Sequence, residues 1–222
     1  MSGRQRRYRN RTHAGEVLAE ALRSHKARSG TVVLALPRGG VPVAAPVARA
    51  MSAPLGVLLV RKLGVPGRPE LAMGALASVG GRLELFRNEP VIASVGVSAA
   101  AFEEVRVREL RELERRLQAL GDAPIALAGQ EVVVVDDGLA TGSTMLAAVR
   151  AVRSFDPAAV VVAVPVGAPE AVALLRQVAE VVCPWAPVPF QAVGLAYSDF
   201  TQVSDSEVQE LLRVERERAL SP

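Results

Sequence analysis

The chain runs to 222 residues, half of them hydrophobic, with 26 basic against 23 acidic residues and a formal net charge of +3. That size suits one α/β domain spanning residues 1–222, and no apolar run approaches the roughly 18 residues of a membrane span. The single cysteine, Cys183, excludes an internal disulfide, and the opening M-S-G-R-Q-R-R-Y-R-N-R has no apolar segment to act as a secretory signal, so the cytoplasm is the expected location.

Five arginines fall between Arg4 and Arg11. No recognised nucleic-acid module accompanies them, so the run is expected to be a solvated or subunit-contacting end. Thr12 to Ala27 has helical spacing through Val17, Leu18, Ala21 and Leu22. His13 and His25 lie in this region without cysteine partners, and no histidine-based metal site is expected. Thr31 to Leu36 is a buried strand that breaks at Pro37-Arg38-Gly39-Gly40. Val41 to Met51 is a small-residue helix, and Leu55 to Val60 is a second buried strand ending in Arg61-Lys62. Residues 63–97 are rich in glycine and proline and are expected to include a mobile hairpin. Ser98 caps a long charged helix to Leu120. Further on, Ala158–Val164 is a strand, Pro169–Val178 a helix and Glu180–Cys183 a short strand, with Cys183 as core filler. Pro184–Gln202 is aromatic and proline-bearing. Ser204 opens a terminal helix to Leu220, with Glu207 completing a capping box. Buried strands alternating with helices give an α/β fold, a mainly parallel sheet flanked by helices.

The chemistry concentrates between Glu131 and Val152, E-V-V-V-V-D-D-G-L-A-T-G-S-T-M-L-A-A-V-R-A-V. Four consecutive valines fit a strand covered on both faces. Asp136 and Asp137 stand where it ends, and a short small-residue loop leads into a helix. Ligands of open α/β sheets bind at such strand ends, and a helix N-terminus favours an anion. Gly142 allows close backbone approach, and Thr141, Ser143 and Thr144 add hydroxyls, so the loop suits a phosphate monoester. Two adjacent carboxylates would repel phosphate alone. They suit a sugar phosphate, whose vicinal hydroxyls a carboxylate accepts from, with a divalent cation offsetting the remaining charge. A P-loop needs a lysine that residues 138–144 lack, and a dinucleotide fingerprint needs three glycines where this loop has two.

The run V-V-V-V-D-D-G-L-A-T-G-S-T resembles the phosphoribosyl pyrophosphate (PRPP) motif of the type I phosphoribosyltransferases. The resemblance implies that fold, with a small hood built from about residues 184–202. It implies that Asp136 and Asp137 hold the ribose 2′- and 3′-hydroxyls and that Ala140, Thr141, Gly142, Ser143 and Thr144 wrap the 5′-phosphate. Arg38, Gly39 and Gly40 are similar to the family's pyrophosphate loop, often held there by a cis peptide. Arg61-Lys62-Leu63-Gly64-Val65-Pro66-Gly67 is similar to the R-K-x-G…P-G run that leads into the flexible loop of the adenine enzymes, which adds Arg61 and Lys62 to the pyrophosphate side.

Ala140 replaces the aspartate found before T-G in the hypoxanthine and guanine enzymes, so a general base must come from elsewhere. Glu70 is the nearest candidate, with Glu84 and Glu89 behind it. Trp185, Phe190, Tyr197 and Phe200 cluster within 16 residues. The segment resembles the hood that covers the base in the hypoxanthine-guanine enzymes, with Phe190, Gly194 and Asp199 at matching places and one residue too many before Asp199. Trp185, Phe190 and Tyr197 are thus candidates for stacking on a planar acceptor. Mg²⁺ is the implied cofactor, with Asp136, Asp137 and, indirectly, Asp199 as ligands.

No single substrate class fits throughout, which points to the stand-alone branch of the family. The expected reaction moves ribose 5-phosphate from PRPP to a nitrogen of a small planar acceptor and releases pyrophosphate. The expected assembly is a homo-oligomer, a dimer, with no nucleic acid or membrane partner. Two readings stand beside it: a regulator that binds PRPP or nucleotide without transfer, with RNA as a possible partner, and a hydrolase of PRPP or a related ester.

Overall fold

The computed structural model describes residues 7–23, 30–120 and 124–220. The expected run of the first helix to Ala27, His25, and the arginines Arg4 and Arg6 lie outside these residues.

The first helix, α1 (Arg11–Leu22), is capped by Asn10, whose side chain accepts from the His13 amide. Strand β1 (Thr31–Ala35) is buried along its whole length and feeds α2 (Gly40–Ala50). Strand β2 (Leu55–Val57) follows, then β3 (Leu59–Val65), β4 (Arg68–Val79) and β5 (Arg82–Arg87). A short helix α3 (Glu89–Val95) leads to the long α4 (Ala99–Leu120), where Ser98 Oγ accepts from the Ala101 amide as a cap should. Strand β6 (Glu131–Val135), α5 (Ser143–Val152), β7 (Ala159–Ala163), α6 (Pro169–Arg176) and β8 (Glu180–Val182) complete the alternation. The chain ends in α7 (Asp205–Leu220), whose capping box is formed as expected: Ser204 Oγ accepts from the Glu207 amide and Glu207 from the Ser204 amide.

Five strands form one parallel sheet in the order β2-β1-β6-β7-β8. Side chains alternate across a strand, so an all-apolar strand needs apolar cover on both faces. Val33, Ala35, Val133 and Val135 pack on one side with α1, α2, α4 and α7. Val32, Leu34, Val132 and Val134 pack on the other with α5 and α6. The unbroken valine run is thus a consequence of double burial.

The region from Leu55 to Val97 departs from expectation. The anticipated strand Leu55–Val60 is two pieces: β2 pairs with β1, and after Leu58 the chain leaves the parallel sheet. Strands β3, β4 and β5 form a separate antiparallel sheet. Arg61 and Lys62 therefore sit within β3, paired with Leu76 and Ala75, and not at a strand's carboxyl end. The expected mobile hairpin is this sheet: β4 is buried from Met73 to Val79, packed between α4 and α5. Its exposed parts are the Pro66–Gly67 turn, residues 68–71 and most of the edge strand β5.

Double burial makes a test. Leu34 is 0% exposed on β1, so Leu34→Ala should cost about 2–5 kcal/mol, read as a lowered urea midpoint. Leu83 on the edge strand β5 is 44% exposed, and Leu83→Ala should move stability by no more than about 0.5 kcal/mol. Equal costs at the two positions would refute the burial argument.

Candidate active site

The connections from β1 run outward to β2 on one side, while β6, β7 and β8 continue on the other. This reversal is a topological switch point, where the loops at the carboxyl ends of adjacent strands part and leave a crevice. The loop after β1 is Leu36–Gly39 and the loop after β6 begins at Asp136. Leu36 N donates to Val135 O at 2.9 Å, which carries the ladder one step past the strands. The Pro37–Arg38 peptide is cis.

Two glycines let these loops touch. A Cβ on Gly39 would lie 2.0 Å from Asp137 Oδ2, and one on Gly40 would lie 2.8 Å from Val135 O. Their role here is to let the first loop meet the Asp137 carboxylate at Gly39 and the Val135 backbone at Gly40, in addition to the exposed amides that the sequence suggested.

The two aspartates are held from several directions. Asp137 N donates to Asp136 Oδ1 at 2.8 Å. Arg11 Nε donates to Asp137 Oδ2 at 2.8 Å, and the Tyr197 hydroxyl donates to the Asp137 carbonyl. Burial pushes the Asp136 carboxyl well above the ordinary aspartate range, and the neighbouring Asp137 pushes it further. Burial also raises Asp137, against the opposing pull of Arg11. A pair raised in this way gains from any cation brought to it.

Next along the chain, Gly142 takes φ +77°, a left-handed conformation that suits glycine, and opens α5. Gly142 has no side chain to cap this helix, Thr141 Oγ1 accepts from the Ser143 amide at 3.4 Å, and no acid stands in the first turn. Thr141 Oγ1 donates to Ser143 Oγ at 3.2 Å. Ala140, Thr141 and Thr144 are exposed. The result is a helix N-terminus with free polar edges, suited to an anion.

A cavity of about 690 Å³ joins these parts. Asp136, Thr144 and Pro37 line it, with Arg61, Lys62 and Glu70 from the antiparallel sheet and Arg108 and Arg116 from α4. Within it, Arg61 donates to Glu109 from Nε at 2.9 Å and from Nη2 at 2.5 Å. Lys62 Nζ lies 3.0 Å from Glu70 Oε2, and the Glu70 side chain is 87% exposed. Glu70 thus reaches the cavity as the partner of Lys62. Glu84 and Glu89 pair with Arg82 and Arg87 and do not line it.

Arg38 is placed differently from expectation. Its Nη1 is 3.8 Å from Asp205 Oδ1 at the start of α7, and it lines a second cavity of about 460 Å³ with Arg115 and Arg116. Pro37, not the Arg38 side chain, faces the cavity that holds Asp136 and Thr144.

The aromatic segment is also corrected. Tyr197 is 1% exposed, with its ring 5.5 Å from Tyr8 and 5.0 Å from Phe200 between centroids. It has no free face for stacking, and its hydroxyl is spent on Asp137. Trp185 packs edge-on against Tyr8, and Phe190 is half-buried against the cores. None of Trp185, Phe190 and Tyr197 lines the larger cavity. Asp199 accepts from the Thr201 amide and hydroxyl. Among the described residues no three His, Cys, Asp or Glu side chains form a metal-binding group, so Asp199 does not complete a carboxylate trio with Asp136 and Asp137.

Two contributors escaped the sequence reading. Arg11 belongs to the run expected to be solvated or subunit-contacting, yet its side chain is 11% exposed and paired to Asp137, 126 residues away. The other is the cavity wall on α4, with Glu104, Arg108 and Arg116 at multiples of four, a helical-face spacing visible in the sequence.

The chain is similar to known proteins in sequence and in fold. Residues 8–192 match the family model described as a phosphoribosyl transferase domain. Two Mycobacterium tuberculosis proteins, from strains CDC 1551 and H37Rv and provisionally named phosphoribosyl transferases, are each 46% identical over 202 residues. The match takes in 90% of this chain and 45% of theirs, so the chain spans about half the length of these relatives. A crystal structure from Thermus thermophilus superposes with a TM-score of 0.81 at 44% identity, covering 93% of this chain and 97% of that one. No helix among the described residues is long and apolar enough to cross a membrane.

The raised Asp136 has a measurable consequence. Its folded-state pKa lies above the unperturbed 3.8, so the folded protein binds the proton more tightly than the unfolded one. Its contribution to stability is then favourable at low pH and is lost as pH rises through the folded value. Asp136→Asn should melt at a higher temperature than the parent at pH 7, with the gain shrinking toward pH 4. A gain that is absent at pH 7, or that grows on acidification, would contradict the assignment.

Proposed function

Because the chain belongs to the phosphoribosyl transferase family, we propose that it moves ribose 5-phosphate from PRPP to a nitrogen of a small planar acceptor and releases pyrophosphate. One observation carries the reading: the carboxylate of Asp136, the hydroxyl-bearing start of α5 at Thr144 and the cations Arg61 and Lys62 line a single cavity at the switch point. These are the groups that a sugar bearing a phosphate at one end and a diphosphate at the other requires.

In this reading Asp136 and Asp137 accept from the ribose hydroxyls, and residues 140–144 take the 5′-phosphate through backbone amides and the hydroxyls of Thr141, Ser143 and Thr144. The loop Pro37–Gly40 presents its backbone to the diphosphate, with Arg61 and Lys62 opposite. Negative charge grows on the departing pyrophosphate, and fixed cations and amides stabilise that change most where water is excluded. Glu70, held by Lys62, is the nearest group to accept a proton from the acceptor. The residues present fit Mg²⁺: the aspartate pair is a hard oxygen set too small for a closed cage, as suits an ion that keeps waters and substrate oxygens. When bound, the ion would neutralise diphosphate charge beside Asp136 and Asp137.

The hood favours a second reading. Its Tyr197 ring is buried between Tyr8 and Phe200 instead of being open for stacking, which suits a protein that binds PRPP or a nucleotide without transfer. Pyrophosphate release measured with PRPP and a panel of purines, pyrimidines and aromatic amides separates the two, and a control without acceptor reveals hydrolysis. Acceptor-dependent release is the expected result. Tight PRPP binding with no turnover on any acceptor would give the function to the binding reading.

Binding itself is tested apart from turnover. Asp136→Asn with Asp137→Asn should weaken Mg–PRPP binding on the order of 100-fold or more, since each charge-assisted hydrogen bond contributes about 1.5–3 kcal/mol. Unchanged affinity by calorimetry would remove the ribose assignment.

A further inference from the structure

Arg11 is the least expected member of the site, and its surroundings are unusually complete. Its Nε donates to Asp137 Oδ2 at 2.8 Å, its Nη1 donates to the Thr201 carbonyl at 2.7 Å, and its guanidinium carbon lies 3.9 Å from the centroid of the Phe200 ring. Two edges and one face of the guanidinium are therefore engaged. A lysine ammonium has neither the fork nor the plane to do this.

The backbone on either side is tied down. Tyr8 N donates to Ala196 O at 2.9 Å, and Ser198 N and Asp199 N donate back to Tyr8 O and Arg9 O, each at 2.8 Å. Asn10 then caps the helix that Arg11 begins. The Tyr8 ring is 0% exposed, and its hydroxyl donates to Pro165 O at 2.6 Å. Room for the ion pair comes from Gly39: a Cβ there would lie 2.0 Å from Asp137 Oδ2 and 3.1 Å from Arg11 Nε.

We propose that Arg11 is a positioning residue for the sugar-binding edge, clamping the Asp137 carboxylate so that the Asp136–Asp137 pair meets the ribose in one arrangement. The proposal rests on the reading of that pair as the ribose site. Adjacent carboxylates repel, and a cation on one of them removes most of the tendency to rotate apart. The clamp also reaches Asp136, because Asp137, held at its carboxylate by Arg11 and at its carbonyl by the Tyr197 hydroxyl, supplies the amide that donates to Asp136 Oδ1. The N-terminal strap thus acts on the sugar through Asp137 and has no need to touch it.

Calorimetric titration with two probes, Mg–PRPP and inorganic phosphate, tests this. Arg11→Ala should weaken Mg–PRPP binding about 10-fold or more, while phosphate, which lacks hydroxyls and needs only the loop at 140–144, should change by less than about 2-fold. Arg11→Lys, which retains the charge and the fold, should give a smaller loss with the same selectivity, and it carries the test if Arg11→Ala does not melt cooperatively. In an Asp137→Asn background, Arg11→Ala should cost less than about 2-fold, since its target is gone. Unchanged Mg–PRPP affinity overturns the proposal. Tighter binding does so too, because the guanidinium would then be an obstruction, and a parallel loss of phosphate would make Arg11 merely structural. If Asp137→Asn alone leaves Mg–PRPP binding intact, the ribose reading fails and takes this one with it. If Asp137→Asn weakens binding and Arg11→Ala does not, only the positioning role falls.

Discussion

Two carboxylates side by side, at the end of a strand that meets no water on either face, form an arrangement that a chain does not adopt without compensation. Most of what surrounds Asp136 and Asp137 supplies it. The neighbouring loop comes within contact because Gly39 and Gly40 carry no side chain to block it. A cation, Arg11, arrives at the Asp137 carboxylate from the N-terminal segment, and the Tyr197 hydroxyl holds the Asp137 backbone carbonyl. Remove the acidic pair and there is no evident reason for Arg11 to be buried or for Gly39 to be glycine.

That constraint also explains why the site is assembled from distant stretches. Residues 11, 39, 137 and 201 converge within a few ångströms, although no two are close in the chain. The parallel sheet makes this possible, since β1 and β6 pair in register from Thr31–Glu131 to Ala35–Val135 and so deliver both loops at the same height. The functional groups ride on the loops, while the strands beneath them are packed from both sides and have little freedom to adjust.

The parts of this architecture that were legible in the sequence are those where local pattern and tertiary environment agree. Val132 to Val135 announce a doubly covered strand because no other setting tolerates four valines so economically, and D-D-G-L-A-T-G-S-T announces its loop by composition. The antiparallel sheet was hidden for the opposite reason. The buried stretch of β4 includes Gly74, Ala75, Ala77 and Ser78, small residues that carry little hydrophobic signal, and its exposed start at Arg68–Leu71 looks like loop. Tyr197 misled because an aromatic ring reads the same in sequence whether it stacks on a ligand or fills a small core. Arg11 was beyond reach altogether, since its partner lies 126 positions away and it is one of five arginines between Arg4 and Arg11.

Along α4, the wall of the larger cavity carries Glu104, Arg108, Glu112 and Arg116, each four residues after the last. Of these, Glu104, Arg108 and Arg116 line the cavity, and Glu112 is the anchor of Arg115 and Arg116. One turn of an α-helix advances 5.4 Å, so sliding α4 by a single turn would set a glutamate where an arginine had been and an arginine where a glutamate had been. The sign of the potential along that wall is therefore written in the axial position of one helix. A displacement of one turn would exchange the charges that individual positions of the cavity meet on that wall.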